Sequence, residues 1–220
     1  MIPAAIVAAA PVQTPPPEPN HVTIDLTQSV LKTSGNEWEN AHGYSTNAAI
    51  RYEFQATPKA RFANTLHWEH LSSSYTYPEL PATPWWFSFV EYDDQFDAEL
   101  GRPDYPLGVG VGYFDYTPVH DYTNTYNLRG FGVGIDRWPN YYTFHSLYYS
   151  AWYYPDVRGG QAGAGAYGIL RADAGVNFRP NLVGLWNVRV GLTSDTWFAK
   201  NAYATDAGFN GAYVGVSYWH

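Results

Sequence analysis

Four short clusters carry side chains that could do chemistry. His67-Trp68-Glu69-His70 sets two imidazoles and a carboxylate close together, a composition suited to holding a metal ion or passing a proton. Asp93-Asp94 and His120-Asp121 could activate a water for hydrolysis, and His145-Ser146 offers a nucleophile beside a base. On a strand, however, adjacent side chains point to opposite faces. His67 and Glu69 then share a face that His70 does not, and the helical metalloprotease motif has a different spacing and requires a helix. The two acid pairs and His145-Ser146 are divided in the same way, so hydrolysis there requires irregular loop backbone. No catalytic residue, metal site or cofactor is assigned, and thiolate chemistry is excluded because the chain has no cysteine. His67 and Glu69 fit a hydrogen-bonded interior instead.

The elements around these residues alternate with period two, as strands do. Val22, Ile24 and Leu26 oppose Thr23, Asp25 and Thr27; Ala48, Ile50, Tyr52 and Phe54 oppose Ala49, Arg51 and Glu53. Phe62, Leu66 and Trp68 oppose Thr65, His67 and Glu69, and Phe96, Ala98 and Leu100 oppose Asp97 and Glu99. Near the C-terminus, Leu170, Ala172, Ala174, Val176 and Phe178 oppose Arg171, Asp173, Gly175 and Asn177, while Trp186, Val188, Val190 and Leu192 oppose Asn187 and Arg189. Twenty Tyr, nine Trp and 20 Gly against one Met also favour strands and turns, so the class is all-β. Length, at 220 residues, suits one β domain over residues 21–220. Residues 1–20, with the apolar run Ile2–Ala10 and the prolines that follow, read as an export-signal remnant or a disordered leader. A formal charge of −8 and the lack of a basic cluster argue against a nucleic-acid partner.

Connections separate a membrane barrel from a soluble sheet. Thr57-Pro58-Lys59, Arg102-Pro103-Asp104, Arg137-Trp138-Pro139-Asn140 and Arg179-Pro180-Asn181 read as short turns, each with a Pro that cannot extend a ladder. Longer connections at 32–43, 72–90, 117–124, 155–163 and 194–207 alternate with them, as in outer-membrane barrels. The count gives a closed antiparallel up-and-down transmembrane barrel of about ten strands. Phe54, Phe62, Trp138, Phe178, Trp186 and Tyr218 lie near the short-turn ends, where an interfacial aromatic girdle belongs.

The final residues, Tyr213-Val214-Gly215-Val216-Ser217-Tyr218-Trp219-His220, resemble the C-terminal insertion signal of bacterial outer-membrane β-barrel proteins, with Gly215 and Tyr218 at its glycine and aromatic positions and His220 in place of the terminal aromatic. That resemblance implies the outer membrane as location, and the lipid bilayer and the barrel-assembly machinery as partners. It assigns no enzymatic or transport residue.

Two lumen features follow from the strand faces. Gly108, Gly110 and Gly112 share one face, as do Gly130, Gly132 and Gly134 on the next strand; such a floor suggests close approach of a large side chain, a bulge, or room for a solute. Opposite it, Arg51, Glu53, Glu69, Asp97, Glu99, Asp136, Arg171, Asp173 and Arg189 share the lumen with more acids than arginines. A dry lumen requires these charges to pair, whereas a hydrated one favours cations. Ten strands leave an interior that side chains can mostly fill. The expected function is therefore a structural barrel, or one that binds a small solute or envelope partner through Tyr-rich outer loops. A narrow, porin-like cation-leaning channel, an outer-leaflet barrel enzyme using Asp93, Asp94, His120 and Asp121, and a secreted polysaccharide-binding or -cleaving β-sandwich are the alternatives.

Overall fold

The computed structural model describes residues 20–34, 42–57, 60–76, 84–102, 105–120, 127–139, 143–159, 165–180, 185–204 and 206–220. They form ten strands: β1 (Asn20–Ser34), β2 (His42–Thr57), β3 (Ala60–Thr76), β4 (Pro84–Arg102), β5 (Tyr105–His120), β6 (Leu128–Arg137), β7 (His145–Gly159), β8 (Ala166–Phe178), β9 (Trp186–Ala199) and β10 (Ala207–Trp219). Each pairs antiparallel with its sequence neighbours, and β1 pairs with β10, so the sheet closes. At the seam the backbone amides of Val22 and His220 each donate to the other's carbonyl, at 2.8 and 3.0 Å. Closure removes the sheet edges that would otherwise template aggregation and overturns the β-sandwich alternative.

The register is staggered. Val22 pairs with Tyr52, then the line runs through Asn64, Phe96, Val111, Val133, Tyr153, Leu170, Thr196 and Gly208, and returns to β1 at Ser34 rather than Val22. Such an offset requires strands tilted against the barrel axis.

The period-two faces fall as their chemistry demands. Ile24, Leu26, Ile50, Val111, Val133, Val190 and Leu192 are exposed on the outside. Thr23, Asp25, Arg51, Glu53, Thr65, Asp97 and Asn187 are buried inside. Polar residues in and apolar residues out is the inverse of a soluble β-protein. Several strands run further into the longer connections than turn chemistry suggests: β3 reaches Thr76 and β4 begins at Pro84, while β9 reaches Ala199. Paired backbone carries them onward regardless of the polar side chains there. The leader at 1–20 lies outside the described residues except for Asn20, as do the short-turn residues Pro58, Lys59, Pro103, Asp104, Asn140 and Asn181.

Candidate functional site in the lumen

Strand alternation aims one side chain in two at the barrel axis, and three of these are arginines on which the lumen is organised. Arg51, on β2 and fully buried, donates from Nε to Glu53 at 2.8 Å, from Nη1 to Thr65 at 2.8 Å, and bidentately to Asp97 at 2.9 and 3.0 Å. Asp136 completes its shell at 3.2 Å, and Arg61 reaches Glu53 from the side at 3.4 Å. Bidentate guanidinium–carboxylate pairs are among the stronger polar contacts, and each partner here is fixed by a different strand. Beneath them, the Trp138 ring lies 4.5 Å from the Arg51 guanidinium and 5.4 Å from that of Arg189, and its indole N–H donates to Asp136 at 2.9 Å. Trp138 therefore belongs to the lumen and not to the lipid-facing girdle. A turn tryptophan with a buried carboxylate in reach gains more there than at the interface.

The second centre is Arg189 on β9, which donates to Asp25 at 2.5 Å and stacks 4.0 Å over Tyr148. Ser217 donates to the other Asp25 oxygen, the hydroxyls of Tyr148 and Tyr213 contact each other, and Asp173 lines the same cavity as Tyr213 and Arg189.

Arg171 on β8 is the third. It reaches Glu69 at 2.6 Å, Glu91 and Asp93 at 3.4 Å each, and Asp195 at 3.8 Å. Since β4 and β9 lie five strands apart in the ring, this cluster spans the lumen from wall to wall. Neighbouring contacts fix where the proton of His67 lies. Gln95 donates from Nε2 to Asp93 at 2.7 Å, which leaves its carbonyl oxygen 3.1 Å from His67 Nε2, so His67 donates there. Tyr154 donates to Asp93, and Ser45 donates to Glu69.

Above this layer, toward the longer connections, the inward face turns apolar. Leu31, Leu71, Phe114, Leu128, Val157, Ile169, Trp197 and Phe209 pack with Trp152 and Tyr154 into one buried cluster. Trp197 is its hub, with ring centroids 6.2 Å from Phe114, 5.2 Å from Tyr116 and Tyr167, and 6.3 Å from Phe209. Its indole N–H donates to Asp195 at 3.0 Å, tying the apolar layer to the charged one. Truncating Trp197 to Ala is expected to cost about 3–5 kcal/mol of barrel stability, read as a lowered urea midpoint.

The six glycines all face inward. A Cβ at Gly132 would meet the Tyr154 ring and one at Gly134 the Trp152 ring; at Gly108 it would meet Asp136. Large side chains from β7 and a carboxylate thus occupy the glycine floor. A cavity of about 100 Å³ remains between the layers, bordered by Asp25, Glu69, Asp136, Trp152 and Arg189.

Among the described residues no group of His and acid side chains is spaced to hold a metal ion. Asp93 points inward and is buried, whereas Asp94 points outward, so the sheet divides them. Ser146 is likewise buried and His145 exposed. Asp121 and the side chain of His120 lie outside the described residues. Glu99 sits opposite Arg61 and Gly108 in register, its side chain also outside that description.

Among the comparisons with known proteins, one solved structure bears on architecture. No family model matches, and no curated protein matches. OmpT, the outer membrane protease of Escherichia coli, is similar in structure, with a TM-score of 0.50 over 94% of this chain and 99% of that one at 10% identity. The fold is an outer-membrane barrel fold. Ail, the attachment invasion locus protein of Yersinia pestis, aligns with a TM-score of 0.37 over 92% of this chain and all of its own at 11% identity. TodX, a monoaromatic hydrocarbon channel, aligns at 0.33 and 10% over 93% of this chain and 90% of that one. At 10% identity only the fold carries over from OmpT.

The structure gathers Arg51, Glu53, Asp97 and Asp136 into one cluster, Glu69 and Arg171 into a second with His67 beside it, and Asp173 and Arg189 into a third. Sequence reasoning left Asp25, Glu91, Asp93 and Asp195 out of the lumen. Their parity with Thr23, Asp97 and Arg189 was the available signal. Gly215, buried in β10, packs so close to the Leu26 carbonyl and Thr27 that a Cβ would collide, a demand of seam closure. Tyr218 packs edge-on against Trp186 at 5.1 Å, and His220 is exposed.

Proposed function

We propose that the chain resides in the bacterial outer membrane as a closed, non-conducting barrel, inserted by the barrel-assembly machinery, that acts as a structural or partner-binding element through its outer loops. One observation carries this reading: Arg171 and its four carboxylates bridge opposite walls directly beneath the Trp197-centred apolar cluster. An ion passing through would have to break a buried ion-pair network and then cross a desolvated aromatic layer, each a barrier of several kcal/mol. The lumen acids outnumber the arginines, which is the observation that favours the channel alternative. The cavity beside them is bordered on its outer side by Leu31, Leu71 and Phe209, side chains that offer a cation no ligand.

The test is conductance of the refolded barrel in a planar bilayer. No stable current step is expected. A reproducible ohmic step whose cation preference falls in Glu53→Gln or Asp97→Asn would replace this reading with the channel.

A further inference from the structure

Among the described residues, the outward wall carries one acid that a lipid-facing surface does not explain. Asp94 lies near the middle of β4, exposed, between Tyr92 and Phe96 on its own strand and opposite Leu66 and Tyr113 in register. The other outward acids of the strands, Asp115 and Asp156, sit toward the outer rim and pair with Arg129 and Arg158 at 2.8 and 2.7 Å. Neutral outward polar residues satisfy one another, as Thr46 does with Gln28 at 2.8 Å and Ser194 with Asn210 at 2.7 Å. Asp94 has instead an amide, Asn64 Nδ2, at 2.7 Å, and that amide is shared with the Gln95 carbonyl at 3.2 Å.

Hydrocarbon supplies no donor for the rest of the carboxylate, and ionisable groups at membrane depth face protein or water, not lipid. The surrounding face holds what such a group requires. Trp68, Tyr92 and Tyr113, the register neighbours of Asp94 on this outward face, carry an indole N–H and two hydroxyls, framed by Phe62, Leu66, Phe96 and Val111. A patch with acceptor and donors side by side is self-complementary, the property that a two-fold interface between identical subunits needs.

We infer that the outer wall of β3, β4 and β5 is an interface between two copies of this chain, in which Asp94 of each accepts hydrogen bonds from the aromatic donors of the other. The inference rests on the membrane placement proposed above. It deepens that reading by naming the partner.

Because the chain has no cysteine, single substitutions report proximity without background. The full chain is expressed, its outer-membrane fraction isolated, and folding confirmed by heat-modifiable migration, which tests membrane placement separately from pairing. Leu66→Cys is expected to give a disulfide-linked species of twice the chain mass on mild oxidation, and Val188→Cys, on the opposite wall, is not. Adding Asp94→Leu, or Tyr113→Phe where the first does not fold, should lower the Leu66→Cys yield at least about tenfold, since each lost charge-assisted hydrogen bond across the interface is worth roughly that factor. Equal yields from the two cysteine positions, a yield indifferent to Asp94 and Tyr113, no dimer-mass species, or an adduct with a different protein would each overturn the two-copy interface. A chain absent from the membrane fraction would overturn the placement beneath it.

Discussion

Replacing Arg171 with Met is expected to be among the most damaging single changes in the lumen, lowering stability by about 3–5 kcal/mol, the range for breaking a buried pair by removing one partner. Glu69, Glu91, Asp93 and Asp195 all meet on this guanidinium, which is itself only 15% exposed. Without it, four carboxylates from β3, β4 and β9 face one another across the lumen with hydrogen bonds from Ser45, Gln95, Tyr154 and Trp197 as their remaining support. Hydrogen bonds orient those acids but do not cancel their charge. The loss should therefore be recovered in large part by removing charge, as in Arg171→Met combined with Glu69→Gln and Asp195→Asn. Urea unfolding of the lipid-refolded barrel, followed by tryptophan fluorescence, measures both. Arg158→Met, which breaks an exposed pair with Asp156, should leave the midpoint in place. If Arg171→Met behaves like Arg158→Met, or the added neutral substitutions give no recovery, the charge-centred account of the lumen fails.

How far the lumen could be read from sequence differs by layer. Period-two alternation puts Arg51, Glu53, Asp97, Asp136 and Arg189 on one face of their strands, and all five are buried, because those strands alternate cleanly along most of their length. It fails where polarity was used to find the inward face. Leu31, Leu71, Phe114, Ile169 and Trp197 keep the parity of their inward neighbours but are apolar, since the lumen toward the longer connections is closed by packing and not by charge. A rule that equates inward with polar assigns them to loops or to lipid. Asp195 was lost for a related reason: Ser194–Ala207 reads as a connection from its Ser, Asp, Thr and Asn content, yet Ser194 to Ala199 continues β9, whose backbone bonds to β8 and β10. Trp138 shows the reverse limit. Proximity to a turn suggests the interface, and only a three-dimensional arrangement shows Asp136 and two guanidinium groups within its reach.

The glycine floor offers the second large effect, because the same substitution should behave differently at two positions. At Gly134 an added methyl would meet the ring of Trp152 first, a side chain that can be shortened; at Gly110 it would meet the Phe96 carbonyl and the Asp97 backbone first, which cannot. Gly134→Ala and Gly110→Ala are each expected to destabilise the barrel by about 1–3 kcal/mol, the usual range for overpacking a filled interior. Trp152→Leu, which removes a buried ring, should cost a comparable or larger amount by leaving a cavity. Combined, Gly134→Ala with Trp152→Leu should cost clearly less than the two separately, since the methyl takes up space the ring has left. Gly110→Ala with Trp152→Leu should simply add, as the carbonyl it strikes is unmoved. Both cycles use the same urea midpoints. Additivity at Gly134 would mean that the glycines there serve the bend of the sheet and not the seating of Trp152; the coupling expected here makes β5 and β6 a surface shaped by the aromatic residues of β7, and the closed lumen a consequence of that fit.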